Sequence, residues 1–134
     1  MTGSPPYMAP ENYLGKPYGK GADVFSFVVL LWEMFHHKFA FYHYNKADYK
    51  EIVVEKGYRP PINKSVPTRI VEIIKQSWDQ DPKKRPTFDR ISVGLRAEYQ
   101  DLLAESGSGG TGGLSRSEHL MRASIRSFRH RQKK

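Results

Sequence analysis

An all-α fold is predicted by three features of the sequence. The segment Lys20–Phe35, "KGADVFSFVVLLWEMF", is apolar almost throughout and longer than a usual strand. Two later segments, Pro67–Trp78 and the stretch after Thr87, place apolar residues at helical spacing. The stretches between them, "YRPPINKSVP" and "DQDPKKRP", are rich in proline and polar turn residues that break helices. The architecture expected is a small helical unit around one buried central helix, followed by a basic tail.

Residues 1–19, rich in Gly, Pro and Tyr, read as a loop. In the helix over Lys20–Phe35, Asp23 lies at the start, where a carboxylate suits the positive end of the helix dipole. Val24, Phe25, Phe27, Val28, Val29, Leu30, Leu31, Trp32, Met34 and Phe35 cover every face. A helix apolar all round is predicted to be buried. An aromatic connector, "HHKFAFYHYN", follows. Lys46–Lys56 reads as a short helix ending at Gly57, a C-cap. In the amphipathic helix from Pro67 to Trp78, Ile70, Ile73, Ile74, Ser77 and Trp78 share a face. Thr87 can cap the last helix, with Asp89 in its first turn and Phe88, Ile91, Leu95, Tyr99, Leu102 and Leu103 as its apolar stripe. The division expected is a folded part over 1–105, a Gly/Ser linker over 106–113 and a tail over 114–134.

The 134 residues suffice for one modest core, and a hydrophobic share of 38% argues against wholesale disorder. The absence of cysteine excludes disulfides, thiolate metal sites and cysteine nucleophiles. It fits a reducing, cytoplasmic setting, and no signal peptide or membrane-spanning run is visible. The net charge of +8 is unevenly placed: residues 1–105 carry +2 and residues 106–134 carry +6. Basicity therefore belongs to the tail and gives no ground for specific nucleic-acid binding by the whole chain. His36, His37 and His43 lack metal-binding helix spacing and an acidic cluster, so they read as connector histidines and no metal site is expected. Trp32 and Trp78 read as core.

Three blocks carry a family resemblance. "GSPPYMAPE", ending at Ala9, Pro10 and Glu11, resembles the close of a protein-kinase activation segment, which ends on A-P-E. "ADVFSFVVLLWEM" resembles the central buried helix of the kinase C-terminal lobe. "SWDQDPKKRPTF" resembles the turn that carries the family's buried arginine. The resemblance spans roughly residues 2–103 and implies a partial C-lobe. Ser4 resembles the serine/threonine class, whereas the pair Ser77–Trp78 and the "LWEM" helix resemble tyrosine kinases. This mixture is similar to the tyrosine-kinase-like group, which mostly phosphorylates serine and threonine. Val28 departs from the small residue usual after "SF", which puts helix packing there in doubt.

The resemblance implies roles for particular residues. Glu11 would pair with buried Arg85. Asp23 would accept hydrogen bonds from the catalytic-loop backbone in an intact domain, and otherwise serves as a helix-start carboxylate. Ser4, Tyr7 and Met8 would form a loop that binds protein substrate beside the phosphoacceptor, held extended by its prolines. Ala9, Pro10 and Trp78 would be structural. Upstream of A-P-E, where the family places them, the sequence contains no G-x-G-x-x-G loop, V-A-I-K lysine, H-R-D loop or D-F-G, and the Gly107–Gly113 run lacks the following lysine and the strand–helix setting of a phosphate loop. No catalytic residue is therefore expected here. ATP and Mg²⁺ would be cofactors of the intact parent domain and not of this chain.

Two functional classes follow. In one, the chain is the C-terminal part of a serine/threonine protein kinase. In the other, it is a non-catalytic interaction module built on the same remnant. The tail adds a separate question. "SRSE" can form a capping box, and Leu114, Met121, Ile125 and Phe128 fall near one helical face among arginines and lysines. A basic amphipathic helix of this kind suits calmodulin or an anionic membrane; the bland alternative is a solvated tail.

Overall fold

A computed structural model describes residues 5–107 of the chain. Among them there is no strand, so the fold is all-α, and no helix is long and apolar enough to cross a membrane. Ser4, the linker from residue 108 and the tail over 114–134 lie outside the described residues.

The stretch expected to be loop is partly helical. A 3-10 turn covers Pro5–Tyr7, and α1 covers Pro10–Tyr13. Pro10 occupies the first helical position, where its missing N–H is not needed. The proline that read as a loop signal is thus a helix start.

Helix α2, Lys20–His36, is the central element. Asp23 stands exposed in its first turn. Val24, Phe25, Val28, Val29 and Trp32 are buried, so Val28 is accommodated despite its bulk. The burial is one-sided, however. Leu30 is 49% exposed and Met34 62%, four positions apart on one face. The expectation of a helix buried all round is corrected accordingly: apolar composition was mistaken for enclosure. Its end is set by His37, which adopts a left-handed conformation (φ 51°) and donates its N–H to the Glu33 carbonyl at 2.8 Å.

Helix α3 begins at Lys46–Asp48, behind a capping box in which the Asn45 side chain accepts from the Ala47 and Asp48 amides. It continues as a π-helix over Tyr49–Glu55, where an α-helix was expected. The wider turn is seen in the bond from the Lys56 amide to the Glu51 carbonyl, 3.0 Å. Gly57, with φ 69°, ends it where few other residues could.

Helix α4, Thr68–Ser77, packs on α2 and buries Ile70, Ile74 and Ser77, the face its spacing predicts. Trp78 follows it into the core. The Ser77 hydroxyl is buried with no hydrogen-bond partner. Ser77→Ala is therefore expected to raise stability by about 1 kcal/mol, since it removes an unsatisfied polar group from an apolar contact. Urea denaturation of the full chain checks this, and a loss of stability would reveal a partner for the hydroxyl.

The turn Pro82–Lys84 is capped by Asp81, whose side chain accepts from the Lys83 amide at 2.9 Å. It presses on the start of α2: a Cβ on Gly21 would sit 3.0 Å from the Pro82 carbonyl oxygen. Helix α5 spans Phe88–Gly107, with the Thr87 hydroxyl 3.4 Å from the Arg90 amide. The chain divides into two compact units at Gly94. In the first, Ile91 is buried and Phe88 meets Phe27 edge-on at 5.7 Å. In the second, Leu95 and Leu102 are half-buried, and Tyr99 and Leu103 are exposed. Ser106 and Gly107, expected in the linker, close the helix.

Candidate functional site

The loop ahead of α1 and the start of α1 are held on the elements behind them by four sets of contacts, two of them from α2. The tightest is at its end. Arg85 donates to both carboxylate oxygens of Glu11, Nη1 to Oε1 at 2.7 Å and Nη2 to Oε2 at 2.9 Å. The two side chains are 0% and 8% exposed. Arg85 also donates from Nη1 to the Gly21 carbonyl (2.7 Å) and from Nε to that of Asp79 (2.9 Å). A planar guanidinium in this setting ties α1, the start of α2 and the turn after α4 to one point.

The other three contacts were not legible as a set. The Tyr7 hydroxyl donates to Glu33 Oε2 at 2.8 Å, and burial followed by this carboxylate raises the Tyr7 phenol above its ordinary pKa. The other Glu33 oxygen accepts from the Ala40 amide at 2.9 Å. Glu33 is buried within α2, and a lone acid inside the apolar run from Val24 to Phe35 was the signal for it. The Ser26 hydroxyl reaches the Tyr7 carbonyl at 2.6 Å and the Ala22 carbonyl at 3.2 Å; its one proton serves the nearer. The Tyr49 hydroxyl donates to the Met8 carbonyl at 2.9 Å, and burial raises its pKa strongly. The π-helical turn opens at this tyrosine, whose ring meets Phe41 edge-on at 5.4 Å.

Sequence reasoning also missed Arg59. It sits between α3 and α4 in the proline-rich stretch and, among the described residues, has no carboxylate at hydrogen-bond distance. Nε donates to the Trp78 carbonyl (2.9 Å), Nη1 to those of Val53 (3.1 Å) and Tyr58 (2.8 Å), and Nη2 to the Gln80 side chain (2.9 Å). Burial pulls its pKa down to about 10, so it stays charged at neutral pH. Arg59 and Arg85 both lie over the Phe25 ring, at 4.9 and 5.1 Å from its centroid.

The predicted residues thus fall into two groups. Tyr7, Met8, Ala9, Pro10, Glu11 and Arg85 meet around the anchored loop, with Ala9, Pro10, Glu11 and Arg85 buried. Tyr7 and Met8 are half-buried; the loop offers its remaining surface outward and spends the Tyr7 hydroxyl on Glu33. Asp23 stays apart, in water at the start of α2. Trp78 contributes its carbonyl to Arg59 and its ring to the core. Among the described residues no three His, Cys, Asp or Glu side chains group to hold a metal ion. What the geometry presents is a loop anchored on the helices behind it.

Known proteins match this sequence over most of its length. A probable serine/threonine-protein kinase of Dictyostelium discoideum is 43% identical over 91 residues, which cover 68% of this chain and 7% of that protein. The dual specificity protein kinase shkB of the same organism is 42% identical over 97 residues, 69% of this chain and 14% of its own. The serine/threonine-protein kinase STY17 of Arabidopsis thaliana is 38% identical over 90 residues, 67% of this chain and 16% of its own. Across eight of the curated relatives it matches, the chain spans between 7% and 25% of their lengths. A sequence profile of protein tyrosine and serine/threonine kinases matches residues 2–95, and these include every anchor of the loop: the chain belongs to the protein kinase family.

Proposed function

We propose that this chain is the C-terminal portion of a serine/threonine kinase domain of the tyrosine-kinase-like group, and that the anchored loop is the floor on which the parent enzyme holds its protein substrate. The observation that carries this reading is the bidentate Glu11–Arg85 pair, which fixes a loop of the A-P-E type against α2. In that parent, Ser4, Tyr7 and Met8 lie beside the phosphoacceptor, and ATP with Mg²⁺ binds to residues outside this sequence. The exposed face of α2 at Leu30 and Met34 would be covered by the rest of the domain. A cytoplasmic location accords with this reading.

The chain alone is expected to transfer no phosphate and to gain no thermal stability from Mg·ATP. Radiolabelled transfer to a generic protein substrate, together with thermal unfolding at rising Mg·ATP, checks both. Either signal would sink the reading of a remnant without its phosphate site. The encoding DNA ahead of Met1 distinguishes the two functional classes. An in-frame H-R-D and D-F-G supports the kinase portion. An early stop supports a non-catalytic interaction module, which the exposed Phe39–Tyr42 stack (5.9 Å between centroids) would suit. The tail is a separate proposal, as a site for calmodulin or an anionic membrane. Phe128→Ala and Ile125→Ala should abolish capture by calmodulin but leave salt-sensitive vesicle binding largely intact.

A further inference from the structure

We infer that His36 is an acid-sensitive latch that holds the flap over residues 61–65 on the end of α2. The geometry fixes its protonation state. His36 Nδ1 lies 2.7 Å from the Trp32 carbonyl, which can only accept, so Nδ1 carries a proton. Nε2 lies 2.8 Å from the Asn63 amide, which can only donate, so Nε2 carries none. A proton arriving at Nε2 turns the acceptor into a donor aimed at another donor. The bond to Asn63 is then lost, and an N–H is left facing an N–H.

The consequence reaches a defined segment. Asn63 organises the flap: its side-chain oxygen accepts from the Ser65 amide (3.2 Å) and its carbonyl from the Val66 amide (3.1 Å). Trp32 grips the same flap through Nε1, which donates to the Pro61 carbonyl at 3.2 Å. The Trp32 and His36 rings are stacked, with centroids 4.0 Å apart and planes within 8°. The flap's flanks do not titrate with it. Arg59 is charged throughout the mildly acidic range, and Val66 is buried. Opening is therefore local.

The surrounding charges favour the neutral ring. Burial lowers the His36 pKa first, and Lys38 and His37 lower it further, against the bond to Trp32. Glu33, one turn back, has its oxygens taken by Tyr7 and Ala40, and the flap itself brings a lysine, Lys64. Stacking on Trp32 favours a charged ring but supplies no acceptor for Nε2–H. An unfolded histidine titrates near about 6.5. With the folded value below that, the latch holds fully above this pH and is lost as pH falls through the folded value.

The test is an NMR titration of the isotope-labelled full chain from neutral pH into the mildly acidic range. The His36 ring is expected to titrate below the ordinary histidine value, with the Asn63 amide and the Trp32 indole N–H shifting at the same midpoint. His36→Gln should make both signals independent of pH, whereas His43→Gln, at an exposed connector position, should leave the transition in place. A His36 midpoint at or above the ordinary value would overturn the latch. So would an Asn63 amide that stays fixed while His36 titrates. Should His36→Gln fail to fold, the titration of the unaltered chain still decides.

Discussion

Replacing Arg85 by alanine is expected to remove about 3–5 kcal/mol of folding stability, because it leaves the Glu11 carboxylate buried and unpaired. The neighbouring Lys84→Ala, at an exposed position, should change stability by under about 0.5 kcal/mol. Domains of this size hold only about 5–15 kcal/mol in total. The Arg85 variant should therefore unfold at far lower urea, or be unfolded from the start. Tryptophan fluorescence during urea denaturation of both variants reads the difference. Equal midpoints would show that the pair contributes no more than a surface contact. Glu11→Ala alone should also be costly, and the double substitution should cost less than the two single changes added together.

Phe25→Ala is the second change expected to have a large effect, about 3–5 kcal/mol. The ring is wholly buried at the point where α2 meets two guanidiniums. Truncation opens a cavity and also strips the aromatic face from Arg59 and Arg85, which then sit beside a void. Phe25→Leu keeps most of the volume and should cost under half as much. The same urea measurement applies. A loss below about 1 kcal/mol for the alanine variant would mean that the surrounding helices collapse into the space.

How far these contacts were legible in the sequence depends on their kind. The Ile70–Ile74–Ser77 face of α4 followed from spacing alone, because burial against one neighbour imposes the helical period on the chain. The meeting of Glu11 and Arg85 came from motif resemblance; nothing in local pattern links positions so far apart. Arg59 escaped notice because most of its acceptors are main-chain carbonyls, which every residue possesses and no pattern marks. The π-helical turn at Tyr49 escaped for a related reason. No residue type in Tyr49–Glu55 marks a π-helix, and the wider turn shows only in which carbonyl each amide selects. The outward face of α2 was misread because composition shows what a residue prefers and not whether a partner arrives. In α1, the proline signal itself was sound but was assigned to the wrong structure, since proline suits a first helical turn as well as a loop.

The Glu11–Arg85 contact joins residues 74 positions apart, which has a meaning during synthesis. A ribosome adds roughly 5–20 residues per second, so about 4–15 s pass between the making of the two partners. Through that interval Glu11 lacks the guanidinium that pairs with it, and its charge opposes burial of α1. Ser26, Glu33 and Tyr49 emerge sooner and can already gather the loop loosely onto α2. The last fastening then waits for the turn after α4. A nascent chain halted anywhere before Arg85 would carry an open, water-seeking carboxylate at the head of α1, a mark of incompleteness that a chain extended past this point no longer shows.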